Sequence, residues 1–260
     1  MVLSIVIPTW NLLHFTKQCV ESIQKTMTIP YELIFVDNGS TDGTIDWLKH
    51  LGTERDIKIK PKQKIIKNHL YDKFPHLKRV KVVEANNIGF ASACNRGIEA
   101  SRGGFVILLN NDTICAPNWA LNLYVTMRGN SKYGLIGATT NYVGQSLQYF
   151  PNHKCVKPAL IPSPDLCFVC VIVNKRLWEQ VKLDENYISG VEDIDYCWEA
   201  QKRGWKIGVC LGSFIYHIGS RTNKEQFGDE RMKSNLKKGW EYFAKKWGDA
   251  GKERAGDWVA

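Results

Sequence analysis

No apolar run of about 18 residues or more, the length a helix needs to cross a bilayer, occurs in this chain of 260 residues. Its first residues, Met1-Val2-Leu3-Ser4-Ile5-Val6-Ile7-Pro8, lack the basic region and small-residue cleavage site of a secretory signal and read as a buried strand. Neither a Gly-x-x-x-x-Gly-Lys-Ser/Thr phosphate loop nor a Gly-x-Gly-x-x-Gly fingerprint is present. Glycine-rich amides are therefore not the clamp for any diphosphate bound here. Among the eight cysteines only Cys167 and Cys170 are closely spaced, with no second pair to complete a zinc site. Cys19, Cys94 and Cys197 fall in helix-like stretches and Cys210 in a strand-like one, which points to buried free thiols and a reducing cytoplasm. The sequons at Asn38 and Asn111 lie in loops assigned below to the active site, where a glycan would block entry. A net charge of +9 comes with no nucleic-acid-binding motif, so no specific nucleic-acid partner is expected. The basic residues concentrate at 58–81 and 231–246, and suit a membrane surface or an anionic substrate.

What is present is an alternation. Strand-like runs at 3–8, 31–37, 80–84 and 105–110 are separated by segments of helical spacing at 16–25, 44–51 and 90–101. A βαβα order of this kind implies right-handed crossovers and an α/β fold with a mainly parallel sheet. One connection, 53–79, is lysine-rich and interrupted by Pro61 and Pro75, and reads as a surface insertion with some helix. The second half is less regular, with strands at 167–173, 206–210 and 214–217 and helices at 175–181 and 192–203. Met232, Leu236, Trp240, Phe243 and Trp247 then recur at helical spacing on a basic helix. This stripe is expected to pack on the body of the domain, with contact to a membrane surface as the alternative. Residues 248–260 look loosely ordered.

The chemistry collects at the C-terminal ends of the early strands. They finish in Thr9-Trp10-Asn11, in Asp37-Asn38-Gly39-Ser40-Thr41-Asp42, in Asn86-Asn87-Ile88-Gly89 and in Asn110-Asn111-Asp112-Thr113. In an open parallel sheet these ends share one edge, where ligands bind. With no glycine-rich clamp, a carboxylate-held cation is the usual way to neutralise a diphosphate, and Asp112 is placed to hold it.

These segments, with Asn95-Arg96-Gly97, Gly190-Val191-Glu192-Asp193-Ile194-Asp195-Tyr196-Cys197-Trp198 and His217, resemble the family-2 glycosyltransferases in the family's order over about residues 3–221. Within that family the nearer likeness is to the rhamnosyltransferase-like group. The resemblance implies a GT-A fold, Rossmann-like in its sheet, and transfer of a sugar from a UDP- or dTDP-sugar to an acceptor hydroxyl on a glycan, lipid-linked glycan or protein. It implies a donor site around Pro8, Thr9, Asn11, Asp37, Asn38, Asn87 and Gly89, in which Asp37 accepts a hydrogen bond from a pyrimidine base. Asn95, Asn110 and Asn111 would support the sugar-nucleotide region. Asp112 matches the last aspartate of the family's Asp-x-Asp motif, Asn110 standing where the first would be, and His217 matches a histidine that completes the metal site. Mn²⁺ or Mg²⁺ is the implied cofactor, and an imidazole ligand favours Mn²⁺. Arg221 can offer bidentate hydrogen bonds to the leaving phosphates.

Glu192, Asp193 and Asp195 open a helix, where carboxylates have an ordinary capping and dipole role. The resemblance singles out Asp193 as catalytic base of an inverting displacement, with Glu192 turned toward the acceptor and Asp195 structural. The expected organisation is a GT-A catalytic domain over 1–225, followed by a short C-terminal helical extension and tail over 226–260. The expected setting is the cytoplasm, possible peripheral contact with the inner membrane face included. The rival reading is a catalytically degenerate nucleotide- or glycan-binding module on the same fold.

Overall fold

The computed structural model describes residues 2–53, 75–86, 89–143, 147–151, 159–187, 190–219 and 221–259. Four N-terminal strands, β1 (Leu3–Thr9), β2 (Tyr31–Asp37), β3 (Leu77–Glu84) and β4 (Phe105–Leu109), alternate with helices α1 (Leu13–Thr26), α2 (Thr44–Thr53) and α3 (Gly89–Ala100). The described residues of the second half form β5 (Thr113–Cys115), α4 (Trp119–Gly129), β6 (Tyr133–Thr140), β7 (Leu160–Pro162) and β8 (Cys170–Asn174). They continue as α5 (Lys175–Gln180), α6 (Glu192–Lys202), β9 (Lys206–His217) and α7 (Arg221–Ala255), with a closing 3₁₀ turn at Gly256–Trp258.

Among the described residues these strands make one sheet in the order β3-β2-β1-β4-β8-β6-β9-β5, with β7 paired to β9. β3, β2, β1 and β4 are mutually parallel, as the βαβα alternation requires. Beyond β4 the sheet becomes mixed: β8 runs antiparallel to β4 and β6, while β9 returns parallel to β6. Both faces of the central strands are covered, which is why β2 is buried at every position and reads as a near-continuous apolar run. Ile5 and Ile7 belong to the core on one side of the sheet, with Cys19, Val20 and Ile23 of α1 and Trp119 and Leu123 of α4. Val6, Ile34 and Val36 belong to the core on the other, with Ala91, Cys94 and Ile98 of α3 and Tyr196 and Cys197 of α6.

The helix α3 lies so close to the sheet that a Cβ at Gly97 would fall 2.2 Å from Val6 Cγ1. Overfilling a packed interior typically costs about 1–3 kcal/mol. Gly97→Ala is therefore expected to lower the melting temperature by roughly 2–12 °C, at about 2–4 °C per kcal/mol for a chain of this size. Thermal unfolding followed by circular dichroism checks this; an unchanged midpoint would mean that α3 can move off β1 freely.

Two features of the second half, the continuity of one strand and the order of the C-terminal stretch, differ from the sequence reading, whereas the stripe of α7 packs as expected. The strands expected at 206–210 and 214–217 are one strand, β9, whose register against β6 jumps from Ala138↔Cys210 to Thr139↔Phe214 across a bulge. The C-terminal stretch is ordered further than expected: beyond a break at Gly248 (φ 63°) the helix resumes to Ala255, which is buried. The apolar stripe of α7 packs inward, Trp240, Phe243 and Ala244 forming a cluster with Tyr187 and Val191 that Leu236, Trp198 and Trp247 extend. The insertion expected at 53–79 falls largely, at 54–74, outside the described residues. The seven described cysteines are all free, and all but Cys167 are buried. No described helix is long and apolar enough to cross a membrane.

Candidate active site

The carboxyl ends of β1 and β2 are stitched into one rim. Asn38 N donates to Thr9 O, Asn11 N to Ser40 Oγ, Thr41 N to Asn11 Oδ1 and Leu13 N to Asp42 Oδ2, all at 2.7–2.9 Å. Asn11 sits at φ 54° and Leu12 at φ 55°, a left-handed pair that turns the chain from β1 into α1. Thr9 is buried, with its hydroxyl 3.3 Å from Val36 O, and Pro8 precedes it on β1 opposite Val36. Asp37 is buried at the end of β2. Its Oδ2 accepts from Ser40 N at 3.0 Å and Gly39 N at 3.3 Å, while Oδ1 has no hydrogen-bond partner. A buried acceptor left unmet costs about 1–3 kcal/mol, and a ligand N–H is the natural complement. Asn38 reaches across to α3, with Nδ2 3.4 Å from Gly89 O. Asn87 lies outside the described residues.

The second group gathers around Asp112, in the turn between β4 and β5. Its carboxylate Oδ1 lies 3.3 Å from His217 Nε2 at the end of β9, and both side chains are almost fully buried. The strands fix this pairing: Thr113↔His217 is the first register pair of β5 and β9, and Ile218 N donates to Asp112 O at 3.0 Å. The other imidazole nitrogen, Nδ1, is 2.9 Å from the Tyr142 carbonyl oxygen. Asn141 brackets the backbone of His217, its Oδ1 accepting from His217 N and its Nδ2 donating to His217 O. Burial by itself would lower the His217 pKa, but the hydrogen bond and charge of Asp112, with the Tyr142 carbonyl, outweigh it and raise the imidazole above its ordinary value. Asp112 and His217 thus face each other as a carboxylate and an imidazole, a donor pair of the kind that can hold a divalent cation.

The donor set fits such a cation. With Nδ1 donating to a carbonyl, Nε2 is the free ligand nitrogen, the usual outer support for a metal-binding histidine. No cluster of three or more His, Cys, Asp or Glu side chains suited to a metal occurs among the described residues. Two protein ligands leave most positions to phosphate oxygens and water, which is how Mg²⁺ and Mn²⁺ sit in nucleotide sites.

The third group is the N-terminus of α6. Gly190 (φ 88°) and Val191 (φ 76°) are both left-handed, and for a β-branched residue that is strain of order 1–3 kcal/mol, of the kind that clusters at active sites. Asp193 Oδ1 accepts from Ile194 N at 2.8 Å and Oδ2 from Phe168 N at 3.4 Å. Val169 O, in turn, accepts from Asn110 N at 3.0 Å, so a short backbone bridge joins the Asp193 region to the Asp112 turn. Burial pushes both acids up, against the backbone hydrogen bonds each receives; for Glu192 the neighbouring Asp193 charge adds to it. Glu192 Oε2 is buried without a partner.

Several expected site residues are turned elsewhere. Asn95 spends its amide on structure: Nδ2 donates to Leu183 O and Glu185 Oε1, and Oδ1 accepts from Trp178 Nε1 and Leu183 N. Asn111 is buried, with Nδ2 donating to Thr16 Oγ1 on α1. Asn110 contributes backbone, its carbonyl accepting from Thr113 Oγ1 at 2.7 Å. Arg221 opens α7, its side chain outside the described residues. Asn141, Tyr142 and Phe168 were missed because they act mainly through backbone or by gripping backbone, which side-chain motifs do not advertise.

A sheet of this order, covered by helices on both faces, with polar groups along the carboxyl edge of β1, β2 and β4 and an aspartate–histidine pair beside them, is that of a GT-A fold. The chain belongs to glycosyl transferase family 2, whose profile matches residues 4–175. It is 21% identical over 215 residues to the uncharacterized glycosyltransferase YibD of Escherichia coli K12, covering 76% of this chain and 55% of that protein. Against solved structures it superposes on GalNAc-T7 with UDP, GalNAc and Mn²⁺ at a TM-score of 0.69 and 16% identity, over 97% of this chain and 49% of that one. The mannosyltransferase PcManGT of Pyrobaculum calidifontis, in complex with GDP-Man and Mn²⁺, gives a TM-score of 0.65 and 13% identity, over 97% and 67%. At these identities the structural likeness is one of fold. The chain spans only about half the length of YibD.

Proposed function

We propose that this chain is a metal-dependent, inverting glycosyltransferase that moves a sugar from a UDP- or dTDP-sugar onto an acceptor hydroxyl of a glycan, a lipid-linked glycan or a protein. The carrying observation is the Asp112–His217 pair at 3.3 Å, tied through Asn110, Val169 and Phe168 to the carboxylate of Asp193. Asp37 receives the base at its unmet Oδ1, with Thr9, Asn11 and Asn38 shaping the rim. Asp112 and His217 would hold Mn²⁺ or Mg²⁺, which when bound would supply positive charge where the diphosphate departs. Asp193 takes the proton of the acceptor hydroxyl as its oxygen attacks the anomeric carbon opposite the nucleotide. Configuration inverts, and Glu192 faces the acceptor. That GalNAc-T7 and PcManGT hold nucleotides together with Mn²⁺ on the same fold supports this reading. The free buried thiols accord with a cytoplasmic setting.

Calorimetric titration of UDP and of dTDP, with Mn²⁺ and with chelator, tests it. Micromolar binding that chelator weakens by at least about tenfold, or 1.4 kcal/mol, is the expected result. Absence of binding to either nucleotide under both conditions would defeat the transferase reading and favour a degenerate glycan-binding module.

A further inference from the structure

A dense knot of charge lies where α7 meets α6, away from the donor rim. Lys246 Nζ donates to Asp195 Oδ2 at 2.8 Å and to Asp184 Oδ2 at 2.9 Å, and stands 3.4 Å from Glu199 Oε1. The other Asp195 oxygen accepts from Trp247 Nε1 at 2.8 Å and from the Tyr187 hydroxyl at 3.1 Å. Asp195 is 1% exposed, so its charge is sustained by these contacts, and removing the lysine leaves a buried carboxylate short of its counter-charge. Asp184 is gripped a second time by the Tyr242 hydroxyl, also from α7. Residues 183–187, ahead of α6, are thus held by α3 through Asn95 and Ser92 on Leu183 and Glu185, and by α7 through Lys246 on Asp184 and the Tyr242 ring against Tyr187.

The same helix presses on the strained turn itself. A Cβ at Gly239 would lie 2.9 Å from Gly190 O and 3.3 Å from Val191 Cγ2, and a Cβ at Gly190 would lie 2.9 Å from Leu236 Cδ1. A left-handed valine persists only where its surroundings over-determine it. Here the surroundings are α7, and the residues delivered by the turn are Glu192 and Asp193. Neither contact is needed to close the sheet, whose cores are formed by other helices.

We infer that α7 is a brace for the reacting end of α6, with Lys246 as its positioning residue: by fixing Asp195 and the Gly190–Val191 turn it holds Glu192 and Asp193 in register with the acceptor. The inference rests on the reading of Asp193 as base, and the test separates the two. Wild type, Lys246→Met, Lys246→Arg and Asp193→Asn are compared by hydrogen exchange and by nucleotide release from UDP-glucose, UDP-N-acetylglucosamine and dTDP-rhamnose. In Lys246→Met, amides of 190–196 are expected to exchange at least about tenfold faster while those of β1, β2 and β4 are unchanged, with Arg restoring most of the protection. In the release assay kcat falls about tenfold with the donor KM unmoved. Unaltered exchange at 190–196, uniform acceleration across the sheet, or a kcat within twofold of wild type each overturns the brace. Full turnover by Asp193→Asn overturns the base reading instead. Exchange decides the brace alone where none of the three donors is turned over.

Discussion

Asp112→Ala is expected to abolish the Mn²⁺-dependent part of UDP binding, weakening affinity by at least about tenfold, the factor that chelator costs the wild type, since even outer partners of a metal ligand are worth 10–100-fold. Asp112 supplies the negative charge of the pair, and without it the imidazole of His217 faces the diphosphate alone. Asp112→Asn sharpens the test, because it keeps the size of the side chain and a hydrogen bond to His217 while removing the charge. Both variants should bind UDP in Mn²⁺ as weakly as wild type does in chelator. The folded state should survive, since β5 and β9 are paired by backbone bonds that neither substitution touches. Transfer should fall by about 10²–10³-fold, the scale at which loss of one preorganised charge-stabilising group acts. An affinity for UDP that remains fully Mn²⁺-dependent in Asp112→Asn would move the metal off this turn.

The parts of this architecture that the sequence disclosed are those governed by local rules. β1, β2 and β4 could be read because strands buried on both faces must be apolar throughout, and each ends abruptly in polar residues. β6 escaped notice because it contains Gly134 and Gly137, weak strand formers. Glycine leaves room there for long side chains from elsewhere: a Cβ at Gly134 would come within 2.8 Å of Leu177 Cδ2, and one at Gly137 within 2.6 Å of Gln148 Nε2. Packing partners distant in sequence are invisible to periodicity. The same holds for Gln148, fully buried, which donates to Ala138 O and accepts from Cys167 N. At the candidate site, Asp112 is pointed to by its place at a strand end, and Asp37, Asp193 and His217 by the resemblance. For Asn95 the resemblance gives a supporting place beside the site, and its amide groups are saturated by Trp178, Leu183 and Glu185. A motif fixes neighbourhood, whereas hydrogen-bond accounting decides what a side chain has left to offer a ligand.

That accounting makes Asp193→Asn the second large effect. With the carboxylate gone, kcat is expected to fall by about 10²–10⁴, the range of general-base catalysis, while UDP affinity stays within twofold because the donor rim is built by β1 and β2. The pH profile carries the sign. Burial raises the Asp193 carboxyl above its ordinary range, against the bonds from Ile194 N and Phe168 N and with the Asp165 charge adding to the rise. A base must be ionised, so kcat/KM should decline as pH falls through that raised value, placing the acid limb above the usual carboxylate pKa of about 4. Glu192, buried and beside Asp193, is raised too, so the two titrate as a pair and the limb belongs to both. Asp193→Asn should remove it. Stability has the opposite sign: a carboxyl whose folded pKa is raised contributes fully below its unfolded value, and the fold loses stability as pH rises from there toward the folded value. Asp193→Asn should therefore melt higher than wild type at pH 8, and the difference should shrink toward pH 4. A variant that is inactive yet more stable is what a residue kept for chemistry at the expense of the fold looks like. Retention of kcat within tenfold, or a melting difference independent of pH, would assign the proton transfer to another group.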